Sequence, residues 1–308
     1  MSSEPRQHQA PRFCADCFKG TLRGDTELKG TVETVYGLPT YVARPEPGRG
    51  EPAGVVVILP DAMGWELQNT RALADAYANR IPAVVLLPEL MNGRDVVNPH
   101  APLYVTNPLT PTCNPKGYAI PATALAMTDK MEAEKSWWRK YFVVAPVMVA
   151  TMLRYLIPLV VATRSSVVVP RIENYLRAIG VAGFCWGGKF TVLLSQLAAG
   201  PFGGERLIDC GFTAHPSFLT LPGDLEKVVL PLSVANGDDD MMMPRARMVE
   251  AKSVLGKKGE DFEIVEYVGA THGFAVRGNP NDQRQAEFGM RAEDQAVGWF
   301  RRWFGLGA

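Results

Sequence analysis

The chain has 308 residues, 47% of them hydrophobic, and 32 basic side chains balance 32 acidic ones, so its formal net charge is zero. That length and apolar content can bury a sizeable core, and one α/β domain of roughly 200–250 residues plus an insertion fits them. Zero net charge implies no general attraction to nucleic acid or to an anionic membrane.

Residues 1–12 are polar with two prolines and read as a tail. Residues 1–29 are expected to form an N-terminal arm ahead of one domain over 30–308. Cys14 and Cys17 form a CxxC pair. With no second pair or His pair nearby, a zinc or redox site there would need ligands from elsewhere, and a plain packed segment is the simpler reading. The five cysteines are an odd number. No basic start followed by an apolar stretch opens the chain, so a reducing cytoplasm, where a free thiol survives, is expected.

Strands are expected at about 31–35, 40–43 and 54–59. The run Val55 to Leu59 is continuously apolar, as in a parallel strand covered on both faces. Glu66 to Asn79 carries apolar residues at near-helical spacing, and Ala83 to Leu87 reads as the next parallel strand. Residues 91–121 are rich in Pro, Asn and Gly and too long for an ordinary connection. Together with the segment to 170 they are expected to form a helical lid. Within it, residues 141–161 are long and almost uncharged, which prompts a membrane test. Arg154 near the middle, with Pro146 and Pro158 interrupting the run, argues instead for a buried lid helix or a partner-facing patch. Trp137 and Trp138 read as packing residues.

A helix is expected over 170–178 and a strand over 178–184. The latter leads into Gly183-Phe184-Cys185-Trp186-Gly187, the pattern Gly-x-nucleophile-x-Gly with cysteine as nucleophile. Between a strand and a helix, expected here over 189–199, this is the context of a nucleophile elbow, where small residues two positions either side of the nucleophile let strand and helix approach. The simpler alternative is a buried structural cysteine beside a glycine turn. A further apolar strand over 209–214 precedes His215, which is expected to line the pocket or to be a hydrogen-bonded loop residue. The strand 231–237 runs into Asp238, Asp239 and Asp240, and an alternating strand over 262–268 precedes His272. Nucleophile, acid and histidine therefore follow one another in the order an α/β-hydrolase requires, all at carboxyl ends of parallel strands, where such sheets bind ligands. The aspartate run also reads as a cation site or a solvated turn.

On the motifs Gly183-Phe-Cys185-Trp-Gly-Gly188, Gly237-x-x-Asp240-x-x-x-Pro244 and His272-Gly-Phe274, the chain resembles the dienelactone hydrolase family over roughly residues 30 to 305. It is similar to the fungal members more than to the short bacterial ones. The resemblance implies an α/β-hydrolase fold: a mostly parallel central sheet with helices on both faces and a lid insertion about 91–170. It also implies a Cys185–His272–Asp240 triad, Asp240 being singled out among its acidic neighbours by the flanking Gly237 and Pro244. The activity implied is carboxylic ester or lactone hydrolysis with no cofactor and no metal. Ala62 and Trp186 are the expected backbone donors of the oxyanion hole. Asp61 stands where bacterial members carry a glutamate that meets the resting thiol, and its shorter side chain leaves open whether it reaches Cys185 or caps the following helix. Arg277 is either the group that binds a substrate carboxylate or a surface residue. A non-catalytic binder of small acids, a thiol-redox protein and an acyl-cysteine transferase or cyclase are the competing readings. The substrate and the oligomeric state are not legible.

Overall fold

A computed structural model of the protein describes residues 27–48, 51–91, 136, 139, 146–147, 180–198, 206–277 and 283–306. The expected arm with Cys14 and Cys17, nearly all of the expected lid, and the helix expected over 170–178 lie outside the described residues. Among the described residues no helix is long and apolar enough to cross a membrane.

Eight strands form one sheet in the order β1-β2-β4-β3-β5-β6-β7-β8. They are β1 (Thr31–Val35), β2 (Leu38–Ala43), β3 (Val55–Leu59), β4 (Val84–Pro88), β5 (Gly180–Phe184), β6 (Cys210–Ala214), β7 (Leu232–Asp239) and β8 (Phe262–Thr271). β1 pairs antiparallel with β2, and β2 antiparallel with β4. From β4 to β8 every pairing is parallel. The β1–β2 hairpin turns on Tyr36 and Gly37, both at positive φ (48° and 80°), the geometry whose twist matches two right-twisted strands.

The parallel strands bury both faces, as their unbroken apolar runs require. Val56 and Ile58 of β3 pack in one cluster, and Val57 and Leu59 in the other. The first face is covered by α1 (Gln68–Arg80) and by α5 (Gln283–Trp303), whose Tyr77 and Phe300 rings meet edge-on with centroids 6.4 Å apart. The opposite face carries α2 (Trp186–Leu194), α3 (Gly223–Glu226) and α4 (Arg245–Leu255), through Phe190, Leu194, Leu225, Met248 and Leu255. This is the α/β-hydrolase architecture, a mostly parallel sheet sandwiched between helices.

Two elements depart most from expectation. α2 spans Trp186–Leu194, starting directly after Cys185 rather than near Lys189 and ending five residues short of the expected 199. Gly187 and Gly188 have low intrinsic helix propensity, but their close approach to Leu59 of β3 and Thr213 of β6 holds them in the helix. β8 runs on to Thr271 through a register irregularity opposite Gly237–Asp239, which carries the strand up to His272.

Candidate active site

Cys185 lies at the junction of β5 and α2 with φ 51° and ψ −111°, a left-handed conformation that costs a residue with a side chain roughly 1–3 kcal/mol. Neighbouring backbone holds it there. Its N–H donates to the carbonyl of Ala214 (3.2 Å), and its own carbonyl accepts from the N–H groups of Gly188 (3.1 Å) and Ser217 (2.9 Å). A Cβ on Gly187 would collide with the carbonyl oxygen of Leu59 in the neighbouring strand, and one on Gly183 would collide with Thr191 and the carbonyl of Gly187. Glycines at these two positions are what allow strand, turn and helix to close up. The elbow expected from Gly-x-Cys-x-Gly is present, and the Cys185 thiol is buried.

β7 and β8 deliver the next two groups. The bulge at Gly237–Asp239 splits the three aspartates. Asp238 accepts from the N–H of Gly269 at 2.6 Å, Asp239 is exposed, and Asp240 turns inward and is 1% exposed. Asp240 accepts N–H bonds from Met242 (2.8 Å) and Met243 (3.3 Å), and its carboxylate oxygens lie 2.8 and 3.0 Å from Nδ1 of His272. The three carboxylates do not converge on one point, which removes the basis for reading the run as a cation site.

The chain of contacts continues from the other ring nitrogen. His272 Nε2 is 3.4 Å from Ser217 Oγ, and Ser217 Oγ is 3.4 Å from Cys185 Sγ. Burial opposes a charge on His272. The negative sulfur of Cys185, the hydrogen bonds to Asp240 and to Cys185, and the charge of Asp240 outweigh it and raise the imidazole to about 10. Ser217 has no motif of its own in the sequence. The one available signal is its place just past β6, the strand that pairs with β5 and so stands beside the elbow.

Asp61 and Arg277 lie on the other side of the sulfur. Asp61 follows β3, accepts the Met63 N–H at 2.9 Å through Oδ1 and presents Oδ2 to Nε of Arg277 at 3.0 Å. Both side chains are nearly inaccessible (1% and 3%), which rules out the surface reading of Arg277. A guanidinium fits there because Gly273 offers no side chain: a Cβ on it would press into the Arg277 head group. Burial raises the Asp61 carboxyl, the Arg277 charge opposes that rise, and the Cys185 sulfur adds to it. Asp61 does not cap α1, which has Leu67 as N-cap and no side-chain cap bond. Instead it shapes its own turn, whose backbone closes with Gly64 N–H donating to Asp61 O at 3.0 Å. That turn packs beside the start of α2, where the Trp186 N–H is one of the helix's orphan donors, so the two expected oxyanion donors, Ala62 and Trp186, sit on adjacent backbone segments.

His215, wholly buried at φ 40°, stacks edge-on against His272 with centroids 5.0 Å apart. Neither of its ring nitrogens has a hydrogen-bond partner among the described residues. Burial, then the charge of His272, hold its pKa well below the usual imidazole range, so it stays neutral.

Comparison with known proteins was made against this geometry. The profile of the dienelactone hydrolase family matches residues 38–304. The protein named hydrolase tropI from Talaromyces stipitatus is 26% identical over 288 residues, covering 93% of this chain and 95% of that protein. The protein named hydrolase pyvD from Aspergillus violaceofuscus is 24% identical over 292 residues, with 93% and 95% covered. Among solved structures, a provisionally named dienelactone hydrolase from Klebsiella pneumoniae superposes with a TM-score of 0.50 at 16% identity, covering 89% of this chain and 98% of that one, a likeness of fold alone.

Proposed function

The chain belongs to the dienelactone hydrolase family, and on that premise we propose that it hydrolyses small lactones or activated esters through an acyl-cysteine intermediate. The observation that carries the proposal is the continuous path from Asp240 through His272 to Cys185, with the Ser217 hydroxyl beside both, all buried at the carboxyl edge of the parallel sheet.

The proposed roles follow from the chemistry of each group. Cys185 as thiolate attacks the carbonyl carbon of the substrate. The carbonyl oxygen gathers negative charge and is received by the backbone N–H groups of Trp186 and Ala62. The C–O bond to the leaving oxygen breaks, His272 gives that oxygen its proton, and a thioester on Cys185 remains. His272, now neutral, takes a proton from water, the hydroxide adds to the thioester carbonyl, and the acid product leaves as the thiolate is restored. Asp240 fixes the tautomer and orientation of the ring throughout. A thiolate is a better leaving group than an alkoxide, so forward collapse of the first tetrahedral intermediate is helped when the substrate's leaving oxygen is itself stabilised. Enol-lactones and activated esters meet that condition best. Arg277 supports a substrate bearing a carboxylate, because a charged partner can compete with Asp61 for its guanidinium.

The test is a panel of lactones and activated esters assayed with wild type and Cys185→Ala, with intact mass used to find the acyl adduct on Cys185. Turnover and adduct both vanish in the variant if the reading is right. Turnover unchanged in Cys185→Ala overturns it.

A further inference from the structure

Two stretches that are far apart in the chain, the segment after β3 and the segment after His272, are joined at two points. Asp61 meets Nε of Arg277 at 3.0 Å. Further along the first stretch, the side-chain amide of Asn69 donates to the carbonyl of Val276 at 2.9 Å. Asn69 is 2% exposed, and Val276 and Arg277 are 1% and 6% exposed, so both joints are made away from bulk water.

The second joint is stiff on each side. Asn69 belongs to the first turn of α1, where the N–H groups of Thr70 and Arg71 donate to Leu67 O at 3.0 and 3.2 Å. Arg71 reaches back with Nε to Trp65 O at 3.1 Å, and its guanidinium lies 4.7 Å from the centre of the Trp65 ring. Across the joint, the carbonyl of Gly273 accepts from the N–H groups of Val276 (3.1 Å) and Arg277 (2.8 Å), which closes residues 273–277 into one turn. The Val276 carbonyl and the Arg277 nitrogen share a single planar peptide unit. Holding that carbonyl therefore holds the point from which the Arg277 side chain departs.

The two joints answer differently to a substrate that carries a carboxylate. Such a group competes with Asp61 for the guanidinium, so the ion pair is weakened in the very complex in which Arg277 has to be in place. The amide–carbonyl bond is neutral and takes no part in that exchange. Breaking it would leave a buried carbonyl without this donor, which costs more than the bond's net worth in water.

We infer that Asn69 is a positioning residue for substrate selection: its side-chain amide fixes the Val276–Arg277 peptide, so that Arg277 keeps its place while a substrate carboxylate draws on its guanidinium. The inference rests on the carboxylate role proposed for Arg277 above.

The experiment compares wild type, Asn69→Leu and Asn69→Asp, each as the full chain, on mono-p-nitrophenyl adipate and on its methyl ester, which has nearly the same shape without the charge. Asn69→Leu keeps the volume without the donor and should raise KM for the acid by about tenfold, the effect of one buried hydrogen bond lost. Its kcat for the acid, and both constants for the methyl ester, should stay within about twofold of wild type, the pattern of lost binding rather than lost chemistry. Should Asn69→Leu fail to give folded protein by circular dichroism, Asn69→Asp, which keeps the shape but offers the Val276 carbonyl an acceptor, must show the same selective rise. Wild-type KM for the acid in a folded Asn69 variant overturns the inference and leaves the role of Arg277 standing, and so does a KM that rises equally for both esters. Equal KM for the two esters in the wild type overturns the carboxylate role of Arg277, and the inference with it. Turnover of neither ester by the wild type overturns the hydrolase proposal on which both depend.

Discussion

Asp240 and Asp61 each follow a parallel strand, each accept the N–H two residues ahead, and each face a basic group, His272 and Arg277, on opposite sides of Cys185. The frames are nearly the same and the partners differ. An imidazole gives up and regains a proton in the range where enzymes work, whereas a guanidinium never does so in a protein. One pair can therefore store and return a proton, and the other is a fixed charge pair that shapes the turn carrying Ala62 and holds Arg277 in place. The difference teaches that a buried carboxylate at this sheet edge has no role of its own until its partner's ability to titrate is known.

The sharpest way to break that comparison is to neutralise each acid in turn. Asp240→Asn keeps the shape, but its amide can donate to Nδ1 and fix the wrong tautomer, so kcat/KM with an activated ester should fall by about 10⁴-fold with a modest change in stability. Asp61→Asn should reverse the emphasis. It leaves the Arg277 charge buried without its carboxylate, and removing one partner of a buried pair costs about 3–5 kcal/mol of stability, read as a lower urea midpoint at unchanged slope. Equal loss of turnover in the two variants would show that the pairs are not distinct.

How much of this was legible depends on where the constraint is written. The elbow is marked locally, by Gly183 and Gly187 two residues either side of Cys185, so the pattern points to the turn without the fold, even though the atoms a Cβ on Gly187 would meet belong to Leu59 and Pro60 at the end of the neighbouring strand. His272 could be named from chain order, and Asp240 with the help of the family resemblance. Ser217 could not. Its place beside the sulfur depends on β5 and β6 being neighbours and on two left-handed residues in the loop, and serine after a strand is too common to signal either. The burial of Arg277 was hidden for a similar reason, because its partner Asp61 is more than two hundred residues away in the chain and a loop arginine alone is as easily exposed. The start of α2 at Trp186, three residues before the expected one, depends on tertiary packing that keeps two glycines of low helix propensity in the helix.

The two pairs should also separate along the pH axis. An imidazole with an ordinary value of 6.5 is raised to about 10 at His272, so between those values the folded protein holds a proton that the unfolded chain releases. Stability from this group is complete below 6.5, declines as pH climbs and is lost beyond about 10. The Asp61 carboxyl is raised as well, from 3.8, so its contribution also declines with rising pH, but from above 3.8. Urea midpoints measured from pH 4 to 10 should fall across both windows in the wild type. Cys185→Ala, which removes the largest influence raising His272, should flatten the alkaline fall, and Asp61→Asn the acidic one. An alkaline fall that is unchanged in Cys185→Ala would sink the thiolate–imidazolium pairing.

The smallest effect belongs to the second histidine, and it separates proximity from function. His215 is 5.0 Å from His272 between ring centroids, so by distance alone it could be a spare base. Yet it is wholly buried and held neutral, its ring nitrogens have no hydrogen-bond partner among the described residues, and it faces Phe184 and Phe274 at centroid distances of 6.1 and 5.6 Å. A ring with unused polar atoms in aromatic surroundings is held by its shape, and exchanging it for an apolar ring removes polar groups that had been stripped of water without compensation. His215→Phe should therefore change stability by no more than about 1.5 kcal/mol, the extra volume offsetting the relief, and should lower kcat/KM less than tenfold with the pH profile of turnover unmoved. His272→Phe, by contrast, should remove turnover. A displaced pH profile in His215→Phe would make the second imidazole a participant in the proton chemistry, and the two-pair account of this site would then have to include a third titrating partner.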